Sequence, residues 1–176
     1  MKKTNLKKTI FAALGAALIA VCAWITVPGP VPFTMQSFAI FFLLFLLGGK
    51  PGTLSVLIYI LLGAAGVPVF SGFKGGIGVL AGPTGGYIAG FIFSALLYRL
   101  ITGFKGKQEK PNVFAAFAGL AVCYLCGTLR FISLTSKTAS AALSVCVLPF
   151  IPFDIIKILL AKLLSLRISK AIKWQG

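Results

Sequence analysis

Apolar residues fall in six blocks along this chain, at roughly positions 9–27, 36–48, 54–66, 85–101, 113–129 and 140–166, divided by short polar or Gly/Pro-rich segments. Blocks this apolar predict helices in a bilayer, where ~20 residues cover a ~30 Å hydrocarbon core. The first block follows Lys2, Lys3, Lys7 and Lys8 in the manner of a signal peptide. It runs to about 18 apolar residues, however, and the segment after it, TVPGPVPFTMQ, lacks a small-residue cleavage site. It reads as a retained helix. Blocks two and three span only ~20 Å each at 1.5 Å per residue, so they predict flanking non-helical chain, which survives at membrane depth only when buried in protein or lining a wet cavity. Gly48, Gly49, Pro51 and Gly52 divide these two blocks, Lys50 marks their turn as polar, and Gly63 and Gly66 loosen the end of the third. The expected fold is all-α: an integral membrane bundle of six transmembrane helices with Gly/Pro-rich external loops, one membrane domain over residues 1–176.

Composition agrees, with 59% hydrophobic and 11% charged residues and a mean hydropathy of +1.03. These values exceed the apolar content of ordinary soluble domains. The formal charge of +15 would suggest nucleic acid in a soluble chain, so the position of each cation decides. Thirteen fall on one side of six spans: Lys2, Lys3, Lys7, Lys8, Lys50, Arg99, Lys105, Lys107, Lys110, Lys162, Arg167, Lys170 and Lys173. Lys74, Arg130 and Lys137 fall on the other. The positive-inside bias then places both termini in the cytoplasm of a multi-pass protein of the cell membrane. The charges are short flanks of a lipid bilayer, not a nucleic-acid surface.

Catalytic chemistry finds little to stand on. There is no histidine, hence neither the commonest general base nor the common metal ligand, and no GxxxxGK[ST] phosphate loop. Cys22, Cys123, Cys126 and Cys146 all lie in apolar blocks. The Cys123-x-x-Cys126 spacing resembles a redox or metal pair, but a membrane helix disfavours the thiolate, and the cysteines read as small packing residues.

The polar exception is Asp154 with Lys157, in LPFIPFDIIKILLAKLL. Only two acids occur in the whole chain, and the other, Glu109, sits in the polar connection 103–112. Residues three apart share a helix face, and intramembrane ionisable groups commonly face a cavity, a partner or a substrate path. Pro152 stands near the expected start of the last helix, which puts Asp154 in its first turn, where a carboxylate is favoured. A purely structural ion pair pinning that helix is the alternative, although desolvating such a pair rarely improves on apolar packing. Two external connections, 27–38 and 66–91, add Thr34, Gln36, Thr84 and Tyr87 beside Phe33, Phe70 and Phe73. That mixture suits a small ligand with an apolar body and a few polar groups. A membrane scaffold, or an intramembrane enzyme using Asp154 and Lys157 as acid and base, is the competing class.

Four segments carry a resemblance: GPVPFTMQ (Gly29 to Gln36), GGIGVLAGPTGGYIAGF (Gly75 to Phe91), YLCGT (Tyr124 to Thr128) and LPFIPFDIIK (Leu148 to Lys157). In this order, spread over essentially the whole chain, they resemble the signature segments of the BioY family, the biotin-binding S components of energy-coupling factor (ECF) transporters. The resemblance implies a six-helix subunit that captures biotin from outside and works with a transmembrane coupling subunit and two ABC-type ATPases, with no cofactor of its own. It also implies a small-residue face on the first helix for the coupling subunit, for which Ala12, Ala13, Ala16, Ala17 and Ala20 stand four apart. Ordinary packing within the bundle is the alternative use of that stripe. For biotin, Arg130 and Lys157 are candidate carboxylate partners, since a charged donor binds a carboxylate strongly. Thr34, Gln36, Tyr87 and Asp154 are candidates for the ureido group, and Phe33, Phe70 and Tyr124 for walls around the ring, with Thr84 nearby. The GTLRF run at Arg130 departs from the family pattern, which more often has an aromatic there. Another small vitamin, such as thiamine or riboflavin, is the runner-up ligand.

Overall fold

The computed structural model describes residues 3–103 and 111–172, with side chains from 6 to 170. Lys2, Lys105, Lys107, Lys110, Lys173 and Glu109 lie outside the described residues, and Lys3 is described by its backbone alone. The chain runs α1 (Lys3–Trp24), β1 (Thr26–Val27), β2 (Phe33–Thr34), α2 (Gln36–Leu47), α3 (Gly49–Ala64), α4 (Ile77–Ala81), α5 (Gly85–Gly103), α6 (Val113–Thr135), α7 (Ala139–Cys146) and α8 (Ile151–Ile172).

A mostly helical membrane bundle results, but the six blocks are not six equal crossings. Among the described residues α1 from Leu6, α5 and α6 are long and apolar enough to span a bilayer. The sixth block is two helices, α7 and α8, which qualify as a span only together and bend by 45° at their break. Pro149 lies in that break and Pro152 just inside α8. A proline disfavours helical backbone at the residue before it, yet is tolerated in a first helical turn. Helices α2 and α3 are short, ~18 and ~24 Å at 1.5 Å per residue.

Helix α2 forms the centre. Gln36, Ala39 through Phe45 and Leu47 are all buried, as expected of a helix apolar on every side. It packs against α1, α3, α5 and α8. Helix α8 reverses the soluble pattern: Asp154, Lys157, Ile158, Ala161 and Ser165 form the buried stripe, while Ile155, Ile156, Leu159, Leu160, Leu163 and Leu164 are exposed. Water would not tolerate that outer face, and lipid does. Helices α5 and α6 meet through glycines, since a Cβ at Gly86 would strike the Cys126 carbonyl, one at Gly90 the Cys123 backbone, and one at Gly119 the Ser94 backbone.

Helix α3 begins at Gly49, five residues before the third apolar block, because Pro51 and Gly52 fall in its first turn, where proline sacrifices no helical bond. Gly48 alone separates α2 from α3, at φ 83° and ψ 173°, a region essentially reserved for glycine. Gly48→Ala is therefore expected to destabilise the protein by about 1–3 kcal/mol, read as a lowered thermal midpoint in detergent. An unchanged midpoint would mean that the corner relaxes without strain.

The outer connections depart from an all-α chain. Strands β1 and β2 pair antiparallel, Thr26 opposite Thr34 and Val27 opposite Phe33, and the Met35 N–H donates to the Ile25 carbonyl at 3.1 Å. The connection after α3 carries the short helix α4 and is fastened at its rim. The Trp24 indole N–H donates to the Pro68 carbonyl at 3.0 Å, and its ring stacks on Phe73 with centroids 4.9 Å apart.

Candidate functional site

The N-terminal ends of α2 and α8 meet beneath β2, and the polar residues of all three converge there. Asp154 lies in the first turn of α8, where unpaired N–H groups and the helix dipole favour a carboxylate. Lys157, one turn further, forms a 2.9 Å ion pair with Asp154 Oδ1, both side chains being more than nine-tenths buried. The Lys157 ammonium also donates to the Thr34 carbonyl at 2.8 Å and to Ser37 Oγ at 3.3 Å, and it lies 3.8 Å from the centre of the Phe33 ring. Asp154 accepts two further bonds, from Ser37 Oγ at 2.8 Å and from the Tyr124 hydroxyl at 2.6 Å.

Counting donors and acceptors shows what this cluster offers a ligand. An ammonium has three N–H groups and a carboxylate about four lone-pair positions. Lys157 spends all three donors on Thr34, Ser37 and Asp154. Asp154 has three bonds, two at Oδ1 and one at Oδ2, so Oδ2 keeps acceptor capacity. Beside it, the Thr34 hydroxyl donates to Gln36 Oε1 at 2.9 Å and Gln36 Nε2 donates to the buried Tyr59 hydroxyl at 2.5 Å. An amide nitrogen carries two N–H groups, leaving Gln36 one more to give. The cluster thus presents mainly acceptors, plus one amide donor.

These groups form one end of a cavity that opens to solvent. Its other walls are mainly apolar: Phe33 and Val31 from the hairpin, Phe70 and Val79 from the outer connection, Ile88 and Phe91 from α5, Leu120 and Cys123 from α6, and Phe150 from the α7–α8 break. Among the described residues no group of three His, Cys, Asp or Glu could hold a metal ion. All four cysteines are free thiols, and the Cys123 thiol sits 3.6 Å from the Tyr87 carbonyl as a weak donor.

Of the residues expected from sequence, Phe33, Thr34, Gln36, Phe70, Thr84, Tyr87, Tyr124, Asp154 and Lys157 all line this cavity. Arg130 does not: its guanidinium donates to the Ala81 carbonyl at 2.5 Å, fastening the end of α4 to α6. Phe73 is out on the rim against Trp24. Tyr124 binds Asp154 through its hydroxyl in addition to forming wall. Tyr87 donates to the Cys146 carbonyl at 3.2 Å, so its hydroxyl ties α5 to α7. The alanine stripe divides: Ala12, Ala16 and Ala20 are buried in the bundle, whereas Ala13 and Ala17 are exposed. Helical spacing makes this split inevitable, because a stripe four apart drifts across only one face. Ser37 was not among the expected residues. Its signal was available, since Gln36 and Ser37 are the only polar residues of QSFAIFFLLFLL.

A mostly helical membrane protein enclosing a solvent-connected, aromatic-walled cavity with a buried hydrogen-bonding end is of the kind that binds a small amphipathic molecule. The BioY family model matches residues 1–174. The chain is 44% identical to the biotin transporter BioY of Thermotoga maritima over 94% of this chain and 97% of that one, and 34% identical to biotin transporter BioY2 of Lactococcus lactis over 98% and 95%. Its fold matches the crystal structure of the S-component for biotin from an ECF-type ABC transporter with a TM-score of 0.84 and 27% identity, covering 97% of this chain and 94% of that one. The chain belongs to the BioY family.

Proposed function

We propose that this chain captures biotin in the cavity between α2, α5, α6 and α8, as the S component of an ECF-type importer. It is a transport subunit and not an enzyme, and biotin is its cargo, in agreement with the biotin transporters it is similar to. The observation that carries the site assignment is the Asp154–Lys157–Ser37 cluster at the buried end of an aromatic-walled cavity. An acceptor-rich end with one amide donor complements a ureido group, which has two N–H donors and one carbonyl. In this reading the ureido head lies at Asp154 Oδ2, Thr34 and Gln36, and the sulfur-containing ring lies among Phe33, Phe70 and Phe91. The carboxylate tail points to the open end of the cavity, where water solvates it. Lys157, with its donors committed inside the cluster, then serves to orient Asp154 and does not take the carboxylate. Arg130, held at Ala81, fastens α4 to α6.

The cavity lies at the end of the bundle where, besides the ion-paired Lys157, Lys74, Arg130 and Lys137 are the described cations, opposite Lys7, Lys8, Lys50, Arg99, Lys162, Arg167 and Lys170. The positive-inside bias supports an outward-facing cavity and cytoplasmic termini in the cell membrane. Energy would come from a transmembrane coupling subunit and two ABC-type ATPases, because the sequence has no phosphate loop. Ala13 and Ala17 are the small residues on α1 free to meet that coupling subunit.

Calorimetric titration of the detergent-solubilised chain, stripped of ligand, tests the reading. One-site binding of biotin is the expected result. Folded protein giving no heat with biotin would overturn it and turn the search to thiamine or riboflavin.

A further inference from the structure

We propose that Ser37 is a positioning residue for ligand recognition, bridging Lys157 and Asp154 so that the carboxylate is held with Oδ2 turned to the ligand head. The inference rests on the reading above that biotin occupies this cavity. Ser37 lies on α2 while the ion pair lies on α8, so its hydroxyl joins the pair to the central helix. The bridge has a fixed direction. An ammonium has no lone pair to accept with and a carboxylate no proton to give, so the single hydroxyl proton goes to Asp154 Oδ1 at 2.8 Å, and the oxygen receives the Lys157 N–H at 3.3 Å.

Two consequences follow for the pair. Oδ1 is filled by Lys157 and Ser37, which leaves Oδ2, steadied by Tyr124, as the oxygen with capacity for a ligand N–H. The third ammonium N–H is also occupied, so Lys157 is not drawn toward the cavity. Without the hydroxyl, a charged donor and a charged acceptor each lose a partner in buried surroundings, where such groups seek another. Lysine has a long, flexible stem, and the carboxylate rotates with it. The ligand head then meets a pair of the right chemistry at the wrong angle.

Biotin titrations of the full-length protein and its variants test this. Ser37→Ala is expected to lower affinity about tenfold, the scale of one charge-assisted hydrogen bond. Ser37→Thr keeps the hydroxyl and restores most of the affinity, whereas Ser37→Cys keeps the volume with only a weak donor and repeats the loss. In an Asp154→Asn background, Ser37→Ala costs less than about twofold, since coupled residues act through one another. Wild-type affinity in Ser37→Ala, a Thr variant as weak as Ala, or a tenfold loss that persists beside Asp154→Asn would each overturn the positioning role while wild-type binding stands. Absence of biotin binding by the wild type would instead overturn the ligand assignment and this inference with it.

Discussion

Lys157→Ala is expected to reduce biotin affinity about 100-fold, close to 3 kcal/mol, and to cost the bundle about 3–5 kcal/mol of stability. The stability loss arises because Asp154 would lose its ion-pair partner and keep only Ser37 and Tyr124 in buried surroundings. The affinity loss arises because an unopposed carboxylate swings away from the position that Lys157 and Ser37 enforce. Both effects together do not separate a ligand site from a pin on the last helix, so a second variant is needed. Replacing the pair by apolar residues of similar size, Asp154→Leu with Lys157→Met, removes the uncompensated charge, and such replacements are often neutral or stabilising. That double variant is expected to recover most of the thermal midpoint while biotin affinity stays at least about 100-fold below wild type. Recovery of affinity along with stability would show that the pair serves only to hold α8.

The pair was legible in sequence because it is an exception. A carboxylate in an apolar run is conspicuous when only two acids occur in the chain, and i, i+3 spacing fixes its partner on one helix face. Helix existence was legible for the same reason, as long apolar runs have one stable state in lipid. Boundaries were less so. The sixth block runs apolar through the α7–α8 break, and the prolines that cause it lie close to where a helix tolerates them, so hydropathy alone does not resolve one span from two. Arg130 had a partner that was not legible, for a different reason. Its block position says how deep it lies but not which way it turns, and the Ala81 carbonyl that takes its guanidinium is 49 residues away in the chain. Ser37 was passed over because serine is ordinary near a helix start. Its importance depends on α8 folding against α2, which local pattern does not encode.

The second large effect is expected at Gly63. A Cβ there would strike the edge of the Phe70 ring, so the glycine leaves the space into which that ring fits. Phe70 is almost fully buried, meets Tyr59 edge to face with centroids 5.6 Å apart, and lines the cavity. Tyr59 in turn receives the Gln36 amide. The outer connection is anchored at the same place by its backbone, since the Gly76 N–H donates to the Gly63 carbonyl at 2.7 Å. One residue of α3 therefore docks the connection twice. Gly63→Leu must expel the ring, at an overpacking cost of about 1–3 kcal/mol, and it takes away the apolar wall next to Gln36. Biotin affinity is expected to fall at least about tenfold, roughly 1.4 kcal/mol. Gly63→Ala combined with Phe70→Ala provides the control, because the two residues contend for one volume and their stability costs should combine to less than their sum. Affinity in that double variant should stay low, as the wall is still missing. Strictly additive costs in thermal unfolding would show that Phe70 does not occupy the Gly63 hole, and wild-type affinity in Gly63→Leu would show that this wall does not bear on the ligand.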